Sequence, residues 1–266
     1  MLSSTKSERV HVQRICNELL ADLPDALIAE VRARSRRVSL PQGTIIDEPG
    51  ELIEHFYFIE SGVVSSLIDV PSAMPHQVAT VGREGVVGLP LFFGARRAPA
   101  TTRVDVDMVA LRLSAADFSE VARSEWLSRR LHRYALALFV RMAHESACSR
   151  VHSTLERCAR LLLVAHDRAD GARLHLTQEL AAHMLGVRRV SVGIAAQKLR
   201  DMGCIEYVRG RIEVRDRARL QACSCECYEI VRGAVDQLFG PGMDDDLAGD
   251  ASARDSVVLG QFERTH

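Results

Sequence analysis

Basic residues are concentrated in one stretch of the 266-residue chain, between positions 186 and 219. This stretch contains nine lysines and arginines against four acidic residues, a formal charge of +5, whereas the whole chain carries −1. The nine are Arg188, Arg189, Lys198, Arg200, Arg209, Arg211, Arg215, Arg217 and Arg219. Guanidinium and ammonium groups bind phosphate oxygens through charge-assisted hydrogen bonds. The stretch therefore has the composition of a surface that binds nucleic acid.

Three of the seven cysteines, Cys223, Cys225 and Cys227, occupy alternate positions near the end of this stretch. Thiolates bind zinc and iron–sulfur clusters, so these residues are candidate metal ligands. Their spacing differs from the CxxC of zinc sites, helical neighbours two apart diverge, and no other cysteine pair offers the missing ligands. We therefore expect small thiols, with no bound metal or other cofactor. A cysteine-based redox or metal-sensing regulator is kept as an alternative.

The motifs of several enzyme classes are missing from the sequence. It contains no GxxxxGK[ST] phosphate-binding loop, no HExxH zinc-protease motif and no GxSxG nucleophile elbow. Gly82, Gly85 and Gly88 recur every three residues, which differs from the GxGxxG of dinucleotide-binding folds. We therefore expect a binding protein that is not an enzyme.

The basic residues belong to a pattern of two helices joined by a tight turn. Thr177 is placed to cap the first helix, because its hydroxyl can accept a free N–H of the first turn. Apolar residues then recur at helical spacing between positions 180 and 185. Gly186 suits the left-handed residue that ends such a helix, and a second helix begins near positions 188–191. The pattern predicts a helix-turn-helix.

A β-hairpin is predicted after the second helix. Two short β-type runs, at 204–208 and 211–214, are separated by Arg209 and Gly210, which supply the turn. A helix-turn-helix followed by such a hairpin is a winged helix, so the sequence predicts a DNA-binding domain of that type.

Several motifs of this region resemble a known family. TQE at 177–179, HMLGVRR at 183–189 and YVRGRIEV at 207–214 resemble the DNA-binding domain of the Crp/Fnr family of bacterial transcription regulators. CECY at 225–228 resembles one branch of the same family.

The first half of the chain resembles the second characteristic domain of that family. FYFIESGVVS at 56–65 and GREGVVGLPLFFG at 82–94 resemble the strands and the cassette of cyclic-nucleotide-binding-like domains. The resemblance covers about residues 24–230. It implies a homodimer that binds specific sequences of double-stranded DNA and works with RNA polymerase.

The resemblance also implies which residues contact DNA. Those expected to face base edges or adjacent phosphates are Arg188, Arg189, Val190 and Ser191. Those expected to hold phosphates are Thr177, Lys198, Arg209 and Arg211. Arg189 matches the family's guanine-reading arginine. The family's catabolite activator carries an acid where Val190 stands and an arginine where Ile194 stands, so we expect a different target sequence.

Upstream of these motifs, short β-type runs alternate with turn signals. The runs are 36–40, 44–47, 56–60, 63–69, 77–81, 102–106 and 109–113. Glycines separate several of them, and we interpret Ser61 and Gly62 as one of the turns. Many short strands at this spacing predict a β jelly roll.

The sequence as a whole predicts an α+β chain: an N-terminal β jelly roll of cyclic-nucleotide-binding-like type, a long dimerisation helix and a C-terminal winged helix-turn-helix. The expected segments are a helical lead-in (1–26), a β-roll sensor domain (27–123), the dimerisation helix (124–152), the DNA-binding domain (153–230), and a helix end with an acidic, mostly disordered tail (231–266). One face of the lead-in is expected to carry Val12, Ile15, Cys16, Leu19 and Leu20.

A long helix is predicted from about residue 125 to about residue 152. Its apolar residues Leu127, Leu131, Tyr134, Leu138 and Met142 follow a 4-3-4-4 spacing, which is typical of a coiled-coil seam. A helix packed only on its own β domain would show a similar stripe, so the pattern alone leaves both alternatives open. The family resemblance favours a dimer, in which two recognition helices lie about 34 Å apart, one turn of DNA.

The effector is expected to differ from a cyclic nucleotide. In the cyclic-nucleotide binders that this domain resembles, a glutamate takes the ribose hydroxyl and an arginine takes the phosphate, because a guanidinium fork suits that group. Leu89 stands where the glutamate is expected, and Ala100 and Thr101 stand where the arginine is expected. The arginines nearest to that position are Arg96, Arg97 and Arg103. A cyclic-nucleotide-responsive signalling module remains an alternative.

The N-terminal residues MLSSTKSERVHV are polar and lack the apolar core of a secretory signal. The longest apolar run, near residues 134–140, is too short to span a bilayer. We therefore expect a cytoplasmic protein with no membrane partner.

Overall fold

The computed structural model describes residues 15–69, 76–168, 173–174, 176–208 and 211–239. The first part contains a 3-10 turn (Glu18–Leu20), α1 (Asp25–Arg34), β1 (Arg36–Leu40), β2 (Ile45–Asp47), β3 (His55–Ile68), β4 (His76–Val81), β5 (Val86–Val87), α2 (Leu89–Phe92), β6 (Thr101–Ser114) and α3 (Ala115–Val121). The second part contains α4 (Glu125–Val151), α5 (Thr154–Arg168), β7 (Arg173–Leu174), α6 (Gln178–Leu185), α7 (Arg189–Asp201), β8 (Ile205–Val208), β9 (Arg211–Val214), α8 (Arg217–Ala222) and α9 (Cys227–Phe239). This order confirms the α+β architecture of a sheet-rich domain, a long helix and a helix-turn-helix.

The N-terminal sheet is built around two long antiparallel strands. β3 and β6 pair along their whole length, with residue 55 opposite 114 at one end and residue 67 opposite 101 at the other. β1 and β2 add to β6, while β4 and β5 add to β3. Since every pairing is antiparallel, short connections suffice to form the roll.

Two of the strand divisions predicted from the sequence are wrong. The runs 56–60 and 63–69 form the single strand β3, and the runs 102–106 and 109–113 form the single strand β6. The register between the two strands shifts at several points between residues 59 and 64, so the chain bends here without turning back.

Gly62 explains why a bend at this point resembled a turn in the sequence. Its φ is +94°, a left-handed conformation that glycine adopts without strain. A Cβ at this position would lie 2.4 Å from the backbone oxygen of Asp107 on the neighbouring strand. The residue is therefore a bulge within β3, and only glycine fits the close approach of β6.

The N-terminal core lies between the sheet and the helices α1, α3 and α4. Phe56 and Phe118 are fully buried in it and stack with their ring centroids 3.7 Å apart. Phe58 contacts Phe56 edge-on, at a centroid distance of 5.1 Å. These rings join the sheet to α3 and fix the surface on which α4 packs.

Most of the α4 residues predicted to form a dimer seam face the sheet of their own chain. Leu127, Leu131 and Tyr134 belong to the N-terminal core, Leu138 is half-buried, and Met142 borders a cavity. The side chains of the first three are buried within one chain, because α4 lies along the sheet on this stripe. The assignment of these residues to a dimer seam stays a prediction.

A second apolar stripe runs along the outward side of α4. Leu136 is 50% exposed and Phe139 is 68% exposed. Ala143 and Ala147, also exposed, continue the stripe at a spacing of 3-4-4. We call these four residues the outer α4 stripe, and it is the face of the helix that a second chain can reach.

The lead-in predicted as a helix for residues 1–26 is irregular where it is described, apart from the 3-10 turn. The buried amide of Asn17 donates hydrogen bonds to the carbonyl oxygens of Ile59 and Gly85, both at 2.8 Å. These hydrogen bonds hold the segment against the sheet. In a continuous helix the Asn17 amide would point away from these two carbonyl oxygens. Val12 lies outside the described residues.

The second core is formed by α5, α6, α7 and the three-stranded sheet β7-β9-β8. Ser153 separates α4 from α5: its backbone N–H and its hydroxyl both donate to the Glu156 carboxylate, at 2.8 and 2.7 Å. After the wing, α9 returns to pack against α4. The predictions for the wing turn and for the tail at 240–266 fall outside the described residues.

Within the described ranges, no helix combines the length and the apolar character that crossing a membrane requires.

Candidate nucleic-acid interface

The turn between α6 and α7 follows from two local signals. The Thr177 Oγ1 accepts a hydrogen bond from the backbone N–H of Leu180 at 3.1 Å, and so caps α6. Gly186 ends α6 in a left-handed conformation with φ of +63°. Helix α7 then begins at Arg189 as the second helix of a helix-turn-helix.

Helix α7 buries one face and exposes the opposite one. The buried residues are Val192, Ala195, Ala196 and Leu199, which belong to the second core. Arg200 and Asp201 are exposed at the end of the helix. The other exposed residues, together with Arg188 at the N-cap, form what we call the α7 outer face: Arg188, Arg189, Val190, Ile194, Gln197 and Lys198. Five of these six also line a shallow groove together with Gln178. An exposed helix face that carries cations can enter the major groove of DNA, which admits an α-helix.

Arg189 is held only loosely. Its Nε lies 3.7 Å from Oε2 of Glu179, and its side chain is 69% exposed. Ion pairs at this exposure contribute about 0–1 kcal/mol. The guanidinium can therefore leave Glu179 for a base edge at small cost.

Three of the arginines counted in the sequence form ion pairs within the domain. The pairs are Arg215 with Glu206, Arg217 with Asp167, and Arg219 with Asp216. The hydrogen bond to Glu206 raises the pKa of Arg215, and the hydrogen bond to Asp167 raises the pKa of Arg217. Asp167 lies outside the stretch counted in the sequence, so its pair with Arg217 lowers the local positive charge below the +5 of that count.

The other predicted DNA contacts are spread over several elements. Lys198 is exposed on the α7 outer face, and Ser191 is half-buried in the first turn of α7. Thr177 is exposed at the start of α6. Arg209 lies outside the described residues, and only the backbone of Arg211 is described, as the first residue of β9. Gln197 was missed, although its position three residues after Ile194 places it on the same face.

Two arginines near the cassette are engaged in other contacts. Arg97 donates to the backbone oxygen of Gly50 at 2.6 Å. Arg103 pairs with the buried carboxylate of Asp105 at 3.0 Å. To hold a phosphate, Arg103 would have to leave that buried carboxylate unpaired, which is costly. Arg97 and Arg103 are therefore poorly placed to hold a phosphate, whereas the third arginine of this region, Arg96, is exposed.

A cavity of about 740 Å³ lies between the two domains. Its lining includes Val78, Thr80 and Ser149 from the β4 and α4 side, and Arg157, Arg160, Leu161 and Met184 from the α5 and α6 side. The volume is within the range of small-molecule sites, about 300–1,000 Å³. A ligand here would contact both domains at once, so the cavity is a candidate effector site.

The structure separates the three alternating cysteines. Cys223 lies beside Cys204, with their Sγ atoms 3.7 Å apart. Cys225 instead lies beside Cys148 of α4, at an Sγ–Sγ distance of 3.6 Å, and Cys227 lies close to both. Burial raises the pKa of Cys148 to about 12, so without a cation this side chain is a neutral thiol.

Two family models match the chain, one over each domain. The model described as a cyclic nucleotide-binding domain matches residues 37–125, and the model described as a Crp-like helix-turn-helix domain matches residues 156–223. Together they match more than half of the 266 residues. A search of curated proteins found no match.

Solved structures of bacterial regulators share the fold. FixK2 from Bradyrhizobium japonicum is 19% identical, with a TM-score of 0.62, and the match covers 72% of this chain and 98% of that one. A CRP-family transcriptional regulator from Thermus thermophilus is 20% identical, with a TM-score of 0.60 and coverage of 71% and 99%. The c-di-GMP responsive global regulator CLP from Xanthomonas campestris is 16% identical, with a TM-score of 0.58 and coverage of 72% and 99%.

The two matched domains lie on either side of α4, in the order that the sequence motifs predicted. The α7 outer face belongs to the second of them, and the cassette belongs to the first. With both characteristic domains present in this order, the chain belongs to the Crp/Fnr family of transcriptional regulators.

Proposed function

We propose that the protein is a homodimeric, sequence-specific transcription regulator of the bacterial cytoplasm, controlled by an effector other than a cyclic nucleotide. The observation that carries this proposal is the α7 outer face, where exposed cations and aliphatic side chains share a helix that begins at the helix-turn-helix turn. RNA polymerase is the expected further partner, because regulators of this family act at promoters.

The residues of the α7 outer face suit particular bases. Arg189 can donate two hydrogen bonds to O6 and N7 of guanine. Val190 is 72% exposed and Ile194 is 56% exposed, and aliphatic side chains in the major groove contact the methyl group of thymine. Lys198, at the far end of the face, suits a phosphate. We therefore expect half-sites that combine a guanine with nearby thymines.

Dimerisation through the outer α4 stripe fits this way of reading DNA. Two copies joined along parallel α4 helices would present both α7 helices to the same side of a duplex. Their separation would have to match one turn of DNA, about 34 Å, so the operator would be a palindrome. Positions 136, 139, 143 and 147 are separated by three, four and four residues, a spacing that keeps them on one face of the helix, as a helix–helix seam requires.

The cavity between the domains is the site where we expect an effector to act. A ligand there would favour one relative orientation of the sheet and the helix-turn-helix, and would thereby change DNA affinity. The Xanthomonas campestris relative is described as responsive to c-di-GMP. Cyclic di-GMP therefore belongs in the panel of candidates, beside cyclic AMP and cyclic GMP.

Selection from a pool of random DNA duplexes tests the proposal directly. The full chain should enrich a palindrome whose half-sites lie one helical turn apart, and sequencing of the pool gives the motif with and without each candidate effector. Pools that show no enriched motif under any of these conditions would remove the assignment as a sequence-specific regulator.

A further inference from the structure

Four sulfur and nitrogen side chains converge where the end of α4 meets the start of α9. They are Cys148 from the last turn of α4, His152 directly after α4, Cys225 from the link between α8 and α9, and Cys227 from the first turn of α9. Each offers one ligand atom, and all four atoms lie within 4.8 Å of one another. Three of the residues are buried and His152 is half-buried.

The spacing of these atoms is close to that of a single tetrahedral ion site. The Sγ atoms of Cys148 and Cys225 are 3.6 Å apart, the Cys227 Sγ is 3.7 Å from Nδ1 of His152, and every other pair lies within 4.8 Å. With zinc bond lengths of about 2.3 Å to sulfur and about 2.0 Å to nitrogen, tetrahedral neighbours lie about 3.5–3.8 Å apart. An iron–sulfur cluster is larger than one ion and would need its ligands farther from one another.

The chemical types of the four ligands indicate which ion the site would bind. Three thiolates and one imidazole form a Cys₃His set, which is a common structural zinc site. Thiolates disfavour magnesium and calcium, which prefer oxygen ligands. Four protein ligands also leave no open coordination position, so the site suits a structural ion better than a catalytic one.

The contacts around His152 fit a metal ligand. Its Nε2–H donates a hydrogen bond to Oε1 of Glu226 at 3.1 Å, which leaves a lone pair on Nδ1, the atom that faces Cys227. A carboxylate behind a ligating histidine is a recurrent arrangement, because it fixes the ring and its tautomer. The mostly buried guanidinium of Arg160 pairs with Glu145 at 3.7 Å. Its positive charge also lies near Cys148 and Cys227, where it opposes part of the negative charge that three thiolates and one divalent cation leave.

We propose that Cys148, His152, Cys225 and Cys227 bind one zinc ion per chain and fasten α9 to the end of α4. Binding displaces one proton from each of the three thiols to solvent, and His152 binds as the neutral imidazole. The site contains no residue of the α7 outer face, so a test of zinc binding is independent of the proposed recognition of DNA.

Metal analysis of the purified full chain tests this inference. We expect about one zinc per chain after dialysis against a weak chelator, measured by mass spectrometry of the metal and by release to a colorimetric indicator on thiol modification. Cys148→Ser and Cys225→Ser should each lose the tightly bound zinc. Cys223→Ser is the matched control, because it removes a cysteine of the same alternating run that lies beside Cys204 instead, and it should keep the zinc.

Three further measurements guard against variants that lose zinc only because they misfold. His152→Cys should keep one zinc, since four cysteines also form a zinc site. In the unaltered chain, cobalt(II) taken up in place of zinc should give the intense visible absorption of a tetrahedral thiolate complex, and X-ray absorption at the zinc edge should show three sulfur neighbours and one nitrogen.

Four results would overturn the inference. A chain that holds no zinc, either as purified or after reconstitution under reducing conditions, excludes the site. Equal loss of zinc in Cys223→Ser would assign the ion to other ligands. Iron with acid-labile sulfide in anaerobically purified protein, or a Cys148–Cys225 disulfide that persists when zinc and reductant are supplied, would replace the zinc site with redox chemistry.

Discussion

Arg189 carries a charge that is exposed and weakly paired, so its removal should affect DNA recognition far more than folding. We expect Arg189→Ala to weaken specific binding by about 1–3 kcal/mol and to relax the preference at one base pair of each half-site. Fluorescence anisotropy with the selected operator and its single-base variants measures both effects.

A matched control separates this effect from a general loss of positive charge. Arg123→Ala removes the same charge from an exposed position directly after α3, outside the helix-turn-helix. It should leave the preferred bases unchanged and alter the affinity little. An Arg189→Ala protein that keeps the base preferences of the unaltered chain would mean that another residue reads the guanine.

The role of a single residue could be predicted from the sequence where that role depends only on its neighbours in the chain. Thr177 and Gly186 act on their own helix ends, so their types and positions were enough to place the turn. The ion pair of Arg217 was not predictable, because its partner Asp167 lies fifty residues earlier in the chain. The same holds for Cys148, because its neighbour Cys225 lies 77 residues later in the chain, beyond most of the second domain.

At the scale of elements, α4 carries two apolar stripes, one buried against its own sheet and one exposed. We expect Phe139→Glu to dissociate the dimer without unfolding the chain, because the side chain is exposed in one chain and a seam would bury its new charge. Sedimentation at low micromolar concentration measures the association, and thermal unfolding of the same sample measures the fold.

Leu131→Ala should give the opposite result, since this leucine is fully buried in the N-terminal core. A cavity in such a place costs about 2–5 kcal/mol of unfolding free energy, while the outer α4 stripe stays intact. If Phe139→Glu remains a dimer and Leu131→Ala dissociates without losing stability, the original seam assignment is correct.

Gly62 and Gly43 offer a test of the bulge in β3. Both have left-handed φ values, +94° and +87°, but a Cβ at position 62 would collide with the neighbouring strand, whereas nothing lies within 4 Å of a Cβ at position 43. We expect Gly43→Ala to cost about 1–2 kcal/mol from backbone strain alone. Gly62→Ala should cost clearly more, as measured by urea unfolding, and equal losses would mean that the strands can separate freely at the bulge.

The sequence predicted where the helices and strands lie better than it predicted which face of each is buried. The length of α4 followed from its helical periodicity, and the structure has it at Glu125–Val151. Which stripe of α4 meets the sheet could not follow, because 127–131–134 and 136–139–143 both have seam-like spacing. The choice depends on where Phe56 and Phe118 place the core, which is a matter of packing between distant segments.

At the scale of the whole molecule, the matched cyclic nucleotide-binding domain is expected not to respond to cyclic AMP. Arg103 is committed to Asp105, and Leu89 offers no acceptor for a ribose hydroxyl. A ligand at one hundred times its dissociation constant stabilises a protein by about 2.7 kcal/mol. We therefore expect about 100 μM cyclic AMP to leave the melting temperature and the operator affinity unchanged. A shift of several degrees would favour the cyclic-nucleotide-responsive alternative.

The return of α9 to α4 limits how the DNA-binding domain can move. The domain leaves the long helix through the backbone at Ser153 and meets it again through α9. A body attached at one point can rotate about three axes, but a body also held along a second contact keeps only the axis that runs through both. The domain also touches the N-terminal sheet where α6 meets β4. A rearrangement that releases this smaller contact and preserves the α4–α9 contact is then a swing about the end of α4, with one degree of freedom. Such a swing would carry α7 along a fixed arc, so an effector in the cavity would change the separation of two α7 helices without altering their tilt independently.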